Sequence, residues 1–142
     1  MFYQTTVVLP VSRMKALISL LEKVEIQAKE KNMSDADVLA LRLSPDMFPF
    51  AKQIQIVSDN AKGMVSRLTG KEAPKMEDSE PTLADLRTRL ESTIAYVESF
   101  SEEDFSDAAT TEIRISYFPG LHMVGQDYVT GYALPNFFFQ LF

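Results

Sequence analysis

The sequence predicts a mainly α-helical domain with one β-hairpin near its carboxyl end. Three long stretches repeat apolar residues every three or four positions, which is the spacing of an amphipathic helix. A further stretch, residues 112–118, alternates polar and apolar residues as a half-buried strand does. The chain has 142 residues, the size of one ordinary domain, so we expect a single folded unit over residues 1–142.

The first helix is predicted to begin near Thr6 or Val7 and to fray by Lys31. Its apolar stripe starts at Val7 and is interrupted once, at Glu25. Pro10 is tolerated only near a helix start, because the first four backbone N–H groups of a helix have no partner within it. That restriction sets the predicted start.

The second long helix is predicted to run from a cap at Asp46 to Leu68. Asp46 as N-cap would place Pro49 at the third helical position, where its missing N–H costs nothing. Thr69 and Gly70 then supply a C-terminal stop.

Two more helical segments are expected. A short piece over residues 38–43 follows a possible cap at residues 34–37. The third long helix begins at Thr82 and Asp85, which resemble a capping box, and continues to Phe100.

The connections are predicted to be solvated or to form the hairpin. Residues 71–81 contain two prolines and several charges, so this connector and its acidic run are expected to face water. The first hairpin strand, residues 112–118, is followed by a turn at Pro119 and Gly120 and by a second strand over residues 122–129.

The charge balance excludes several classes of function. With 14 basic and 20 acidic residues the net charge is −6, and the basic residues do not cluster, so nucleic acid is not an expected partner. The chain has no cysteine, no membrane-length apolar run and no targeting signal, so a cytoplasmic location without membrane contact is expected. It also lacks the motifs of phosphate-binding loops, dinucleotide folds and serine hydrolases.

Two segments resemble an uncharacterised family, DUF1993, which belongs with the DinB-like helical bundles. The resemblance rests on residues 42–50, Arg-Leu-Ser-Pro-Asp-Met-Phe-Pro-Phe, on Gln53-Ile54-Gln55, Asp59 and Ala61-Lys62-Gly63, and on residues 133–139, Ala-Leu-Pro-Asn-Phe-Phe-Phe.

The resemblance implies a DinB-like four-helix bundle, of the up-down type with a long crossover, and a β-hairpin before the last helix. Residues 134–137 would begin that helix, which would be short or truncated at Phe142. Studied DinB-like relatives bind a divalent metal through three histidines and include thiol S-transferases. Here His122 is the only histidine, and Gln140 stands where relatives often carry one.

The best candidate binding site lies along the second helix. Asp46, Phe50, Gln53 and Asn60 recur at helical spacing on one edge of the apolar seam. Convergent polar groups in an apolar bundle are typical of a small-molecule site. Alternatively, Asp46 only caps the helix, and the two amides only bind nearby loops.

A second group of candidates flanks the hairpin and the last helix. Tyr128 could donate a hydrogen bond at the mouth of the bundle, or pack across the strands, and Asn136 could line that mouth or cap the helix. If a metal is bound, its hard ligands would be Asp46, His122 and Asp127.

Two functions stay open. The first is a metal-free module that binds a small apolar or amphipathic molecule or mediates assembly, with no cofactor. The second is a divalent-metal enzyme resembling the DinB-like thiol S-transferases. Five of the last six residues are apolar, and such a surface would be covered in a homodimer, which we therefore expect.

Overall fold

The computed structural model describes residues 2–42, 44–114 and 122–141, which form a helical bundle with a small antiparallel hairpin. The mainly α prediction is confirmed. None of the described helices combines the length and the apolar character needed to cross a membrane. In chain order the elements are a π-helical turn Gln4–Val8, α1 Leu9–Glu30, α2 Asp35–Leu39, α3 Phe50–Thr69, α4 Leu83–Glu98, a 3₁₀ turn Glu102–Phe105, β1 Glu112–Arg114, β2 His122–Val124, α5 Gly125–Tyr128, a second π-helical turn Val129–Ala133 and α6 Leu134–Leu141.

Helix α3 packs against α4, α6 and the first π-helical turn, while α1 packs against α4. The α3 side chains Val57 and Met64 are almost completely buried. Phe137 of α6 is 0% exposed, so part of the aromatic chain end packs into the bundle. Burying one such side chain stabilises the fold by about 1.5–3 kcal/mol.

Three of the predicted helix ends are present, at Thr82, Gly70 and Ser34. The Thr82 hydroxyl accepts a 3.1 Å hydrogen bond from the Asp85 N–H. Gly70 ends α3 in the left-handed conformation, with φ 75°. Ser34 caps α2, although this helix begins at Asp35 rather than at residue 38 and ends at Leu39.

The first helix begins earlier than predicted. The π-helical turn Gln4–Val8 runs into α1 without a break, and the N–H of Leu9 donates to the carbonyl of Gln4. A proline ring inside an α-helix clashes with the carbonyl four residues before it. A wider turn relieves such a clash, which explains how Pro10 fits inside a continuous helix.

The hairpin is shorter than predicted and the last helix is longer. Strands β1 and β2 pair with Ile113 opposite Met123, and the second strand ends at Val124 instead of continuing to residue 129. The predicted turn at residues 119–120 lies outside the described residues. From residue 125 to residue 141 the backbone is helical throughout, so this helix begins at residue 125 rather than at residues 134–137, and its described part is roughly four to five turns long.

Candidate functional site

A largely apolar cavity of about 450 Å³ lies between α1, the loop of residues 41–49, α3 and α6. We call it the bundle cavity. The described residues that line it are eight apolar and three polar ones, namely Leu17, Leu41, Met47, Phe48, Phe50, Ile54, Val57 and Phe139, with Arg42, Gln53 and Gln140. This volume lies within the range of small-molecule sites, roughly 300–1,000 Å³.

The helical period of α3 builds one wall of the bundle cavity. Phe50, Ile54 and Val57 follow each other at intervals of four and three residues, so they share one face. Ile54 and Val57 are buried, and Gln53 extends the same wall. Phe50 and Gln53, two of the residues predicted to share a binding site, thus both line the bundle cavity.

The loop of residues 41–49 is held against α3 by hydrogen bonds that its backbone carbonyls accept. The N–H of Phe50 donates to the carbonyl of Leu41 over 2.7 Å. The amide Nε2 of Gln53 donates to the carbonyl of Phe48 over 3.2 Å. These contacts place Met47 and Phe48 where they complete the second wall.

Three exposed apolar side chains belong to the same lining. Leu41, Phe48 and Phe139 are 52%, 54% and 68% exposed, whereas Ile54 and Val57 are buried. The cavity therefore has an apolar interior that opens towards solvent through an apolar rim.

The polar groups of the bundle cavity differ in their hydrogen bonding. Gln53 donates to the loop, and Arg42 Nη1 donates to the carbonyls of Pro45 and Met47 over 3.4 and 3.3 Å. The Oε1 atom of Gln140 is buried and has no hydrogen-bond partner among the described residues. A buried acceptor without a partner costs about 1–3 kcal/mol.

Asp46 does not cap the second long helix, contrary to the prediction. The helix begins at Phe50 behind Pro49, and Asp46 is exposed in the preceding turn, where it accepts a hydrogen bond from the Ser44 hydroxyl. This hydrogen bond, together with one from its own backbone N–H, holds the pKa of Asp46 below its ordinary value. Asp46 does not line the bundle cavity.

The other candidate residues lie away from the bundle cavity. Asn60 is half-buried further along α3 and is not among the lining residues. Tyr128 is buried, its hydroxyl accepts a 3.0 Å hydrogen bond from Arg67, and its ring stacks on Tyr132. Asn136 donates to the carbonyl of Tyr132 over 2.9 Å. These contacts give both residues a structural role: Tyr128 packs in the bundle, and Asn136 bonds within its own helix.

The three residues predicted as possible metal ligands, Asp46, His122 and Asp127, do not come together in one site. Asp46 precedes the first turn of α3, whereas Asp127 sits next to Tyr128, which contacts Arg67 near the end of α3. The rise of a helix separates those ends by roughly 25 Å.

Within the described ranges no three His, Cys, Asp or Glu residues group so that they could hold an ion. The backbone of His122 pairs with Arg114, and its side chain lies outside the description. The three-histidine site of DinB-like relatives does not fit these 142 residues, which contain one histidine.

A buried arginine network was not predicted. The Arg89 side chain is 3% exposed and lies 2.8–2.9 Å from carboxylate oxygens of Asp59, Asp78 and Glu80. Burial alone would lower the pKa of Arg89, but the carboxylates, Glu80 foremost, outweigh burial and raise it. The acidic run at residues 77–80 is thus partly bound to the bundle rather than fully solvated.

The same network fastens the connector between α3 and α4. Arg89 also donates to the carbonyl of Glu77 over 3.1 Å, and the buried Lys62 donates to the carbonyl of Pro74 over 3.2 Å. The Ser58 and Thr93 hydroxyls meet at 2.7 Å beneath the sulfur of Met76. These contacts are structural, because they join buried side chains of α3 and α4 to the connector.

The comparisons with known proteins agree on one family. Residues 2–142 match the family model described as "Domain of unknown function (DUF1993)". The crystal structure of a DinB family member protein from Shewanella denitrificans superposes with a TM-score of 0.94 at 40% identity, covering 99% of this chain and 80% of that chain. A search of curated proteins found no match. The chain therefore belongs to the DUF1993 family and has the fold of a DinB-like helical bundle.

Proposed function

We propose that the protein is a cytoplasmic, metal-independent module that binds a small, largely apolar molecule in the bundle cavity. The observation that carries this proposal is the cavity itself, an apolar space of about 450 Å³ lined by Phe50 and Gln53. Burial of an apolar ligand against Ile54 and Val57 would supply most of the binding free energy.

The shape of the site favours a small molecule. The interior is walled by three helices and a loop, and its apolar rim would cover the remaining surface of a bound molecule. Few polar groups line it, and these would set the orientation of a ligand more than its affinity. Among the described residues, the lining offers amide and guanidinium groups but no carboxylate or imidazole, a set suited to an organic ligand rather than to a divalent cation.

Thermal unfolding in the presence of 2-naphthol, a two-ring molecule of suitable size, tests this proposal. At tenfold excess over Kd such a ligand stabilises by about 1.4 kcal/mol, which raises Tm by roughly 3–6 °C. Gln53→Trp places a large ring in the cavity and should abolish the rise. Gln27→Trp makes the same change at an exposed position of α1 and should leave it intact.

Two results would contradict the proposal. One is an absence of any rise in Tm in the parent protein at saturating probe. The other is stoichiometric nickel, zinc or manganese in protein purified without an affinity tag, which would favour the alternative of a divalent-metal enzyme.

The homodimer also remains a proposal, and it is supported by the rim of the bundle cavity. Apolar surface is exposed around the opening of the cavity, at Leu41, Phe48 and Phe139. A second copy of the chain would shield this surface from water. Light scattering after gel filtration should give twice the mass of 16.0 kDa. A monomer at micromolar concentration would contradict the dimer without affecting the ligand site.

A further inference from the structure

We propose that the bundle cavity takes an apolar molecule that carries a carboxylate group, and that Arg42 binds this carboxylate. The inference rests on the proposed function and names the class of ligand for the same cavity. It comes from the one charged side chain among the described lining residues. Arg42 lines the cavity and is exposed, so a molecule entering from solvent meets its positive charge at an otherwise apolar site.

The loop uses only one nitrogen of the Arg42 guanidinium. Nη1 donates to the carbonyls of Pro45 and Met47, whereas Nε and Nη2 make no hydrogen bond to a described residue. The N–H groups of Nε and Nη2 form a planar fork that matches the two oxygens of a carboxylate. Since Nη1 already holds the guanidinium in place, less side-chain freedom is lost when a ligand binds to that fork.

The charge of Arg42 is not compensated by a carboxylate of the described residues, none of which forms an ion pair with it. Asp46 lies in the same loop, but its carboxylate accepts from the Ser44 hydroxyl and is not part of the lining. A ligand carboxylate would supply the missing partner through charge-assisted hydrogen bonds. A ligand ammonium group would be repelled by the guanidinium.

Three naphthalene compounds of similar size separate these cases. At neutral pH 2-naphthoate is an anion, 2-naphthamide is neutral and 2-naphthylmethylamine is a cation, and we expect their affinities to fall in this order. The preference for 2-naphthoate over 2-naphthamide should be about fivefold, a modest value because Arg42 is exposed. It should shrink from about 0.01 M to about 1 M salt, since salt screens exposed charges.

Isothermal titration of the three compounds into the full chain tests the inference. In Arg42→Gln the preference for 2-naphthoate over 2-naphthamide should fall to about one, because the charge is gone. Arg42→Lys keeps the charge but not the fork, so a smaller preference should remain. Arg114→Gln is the matched control, because it removes one positive charge from an exposed residue of β1 that does not line the cavity. That variant should retain the preference of the parent.

The outcomes separate this inference from the proposed function. Equal affinity for 2-naphthoate and 2-naphthamide in the parent at low salt would overturn the inference and leave the ligand-binding site standing. A preference that persists in Arg42→Gln, or tightest binding of the cation, would do the same. Binding of none of the three compounds would overturn both.

The salt series in the parent decides the case in which Arg42→Gln loosens the loop and no longer binds 2-naphthamide either. A preference for 2-naphthoate that falls with salt supports attraction by a nearby cation. The protein as a whole has a net charge of −6, which repels anions, and salt screens that repulsion as well. A preference that rises with salt would therefore show that the net charge governs binding, and would overturn the inference.

Discussion

At the scale of single residues, the structure distinguishes side chains that cap helices from side chains that only resemble caps. Thr82 accepts a hydrogen bond from the backbone of Asp85 and so satisfies a free donor of α4. Asp46 has the right residue type before a helix, but its hydrogen bond is to Ser44 and its backbone lies in a turn. The two residues therefore contribute differently to stability.

Thr82→Ala should lower the free energy of unfolding by about 1 kcal/mol, because a cap is lost. Asp46→Ala should change it by less than about 0.5 kcal/mol, as expected for an exposed residue outside a cap. Chemical denaturation of the two variants and the parent measures both values. A loss at Asp46 as large as that at Thr82 would show that Asp46 supports α3 after all.

Arg89 joins α3, α4 and the connector through side chains that lie far apart in sequence. Desolvation opposes ionisation of Asp78, but hydrogen bonds from Lys52 and Arg89 outweigh it, and the pKa of Asp78 lies below the ordinary value of 3.8. The ionised carboxylate is therefore favoured in the folded state.

A lowered pKa makes stability depend on pH in a definite direction. Above the ordinary aspartate value, Asp78 is ionised in both states and stabilises the fold; as the pH falls through its folded pKa, that contribution disappears. We expect Asp78→Asn to be less stable than the parent near neutral pH and to converge with it at strongly acidic pH. Urea denaturation across the acidic range measures this.

Glu91→Gln is the control for this pH series. Glu91 is an exposed carboxylate on α4 for which the described residues provide no ion pair. The free energy of unfolding of Glu91→Gln should run parallel to that of the parent across the acidic range. An Asp78→Asn curve that also ran parallel would mean that the Arg89 network does not bind this carboxylate.

At the scale of elements, both long helices that contain a proline widen just before it. The turn Gln4–Val8 ends two residues before Pro10, and the turn Val129–Ala133 ends two residues before Pro135. In each case the residue before the proline donates to a carbonyl five positions back. The rule that places proline only at a helix start therefore set the predicted start of the first helix too late.

The beginning of the last helix depends on a glycine that the strand prediction did not explain. A Cβ atom at Gly125 would overlap the carbonyl oxygen of Ala108 and approach Leu68. Gly131, further along the same helix, has open space around it. The backbone of residue 125 thus lies so close to the segment after the 3₁₀ turn that a side chain at this position would not fit.

Gly125→Ala should destabilise the protein by about 2 kcal/mol or more, because backbone has to move to make room. Gly131→Ala should be neutral or stabilising by up to about 1 kcal/mol, since alanine is the better helix former. Thermal unfolding of both variants compares the same substitution in two settings. Equal effects would contradict the close contact at Ala108.

At the scale of the whole molecule, the sequence predicted elements better than it predicted contacts between them. The periodic stripes and the caps at Thr82 and Gly70 located the long helices because these signals are local. Residues 125–129, Gly-Gln-Asp-Tyr-Val, were assigned to a strand, but so short a segment has no decisive period, and packing decides between strand and helix.

The candidate site was predicted only in part for the same reason. Phe50 and Gln53 share a helix face, so their common wall followed from spacing alone. Gln140 reaches the bundle cavity from α6, and Arg89 meets an acidic run about ten residues earlier, through folding that local periodicity does not encode. For Arg89, the available sequence signal was its position as a charged residue next to the apolar stripe of α4.

The central claim is that the bundle cavity is a binding site, and methyl-resolved NMR with 2-naphthol tests it most directly. Ligand in the cavity should shift the methyl signals of Met47, Ile54 and Val57, which line it, through the ring current of the naphthalene. The methyl signals of Ile26, which is exposed on α1, should not move. Saturable shifts at these lining residues without a shift at Ile26 are the predicted result, whereas unchanged signals at Met47, Ile54 and Val57 with saturating 2-naphthol would contradict the account.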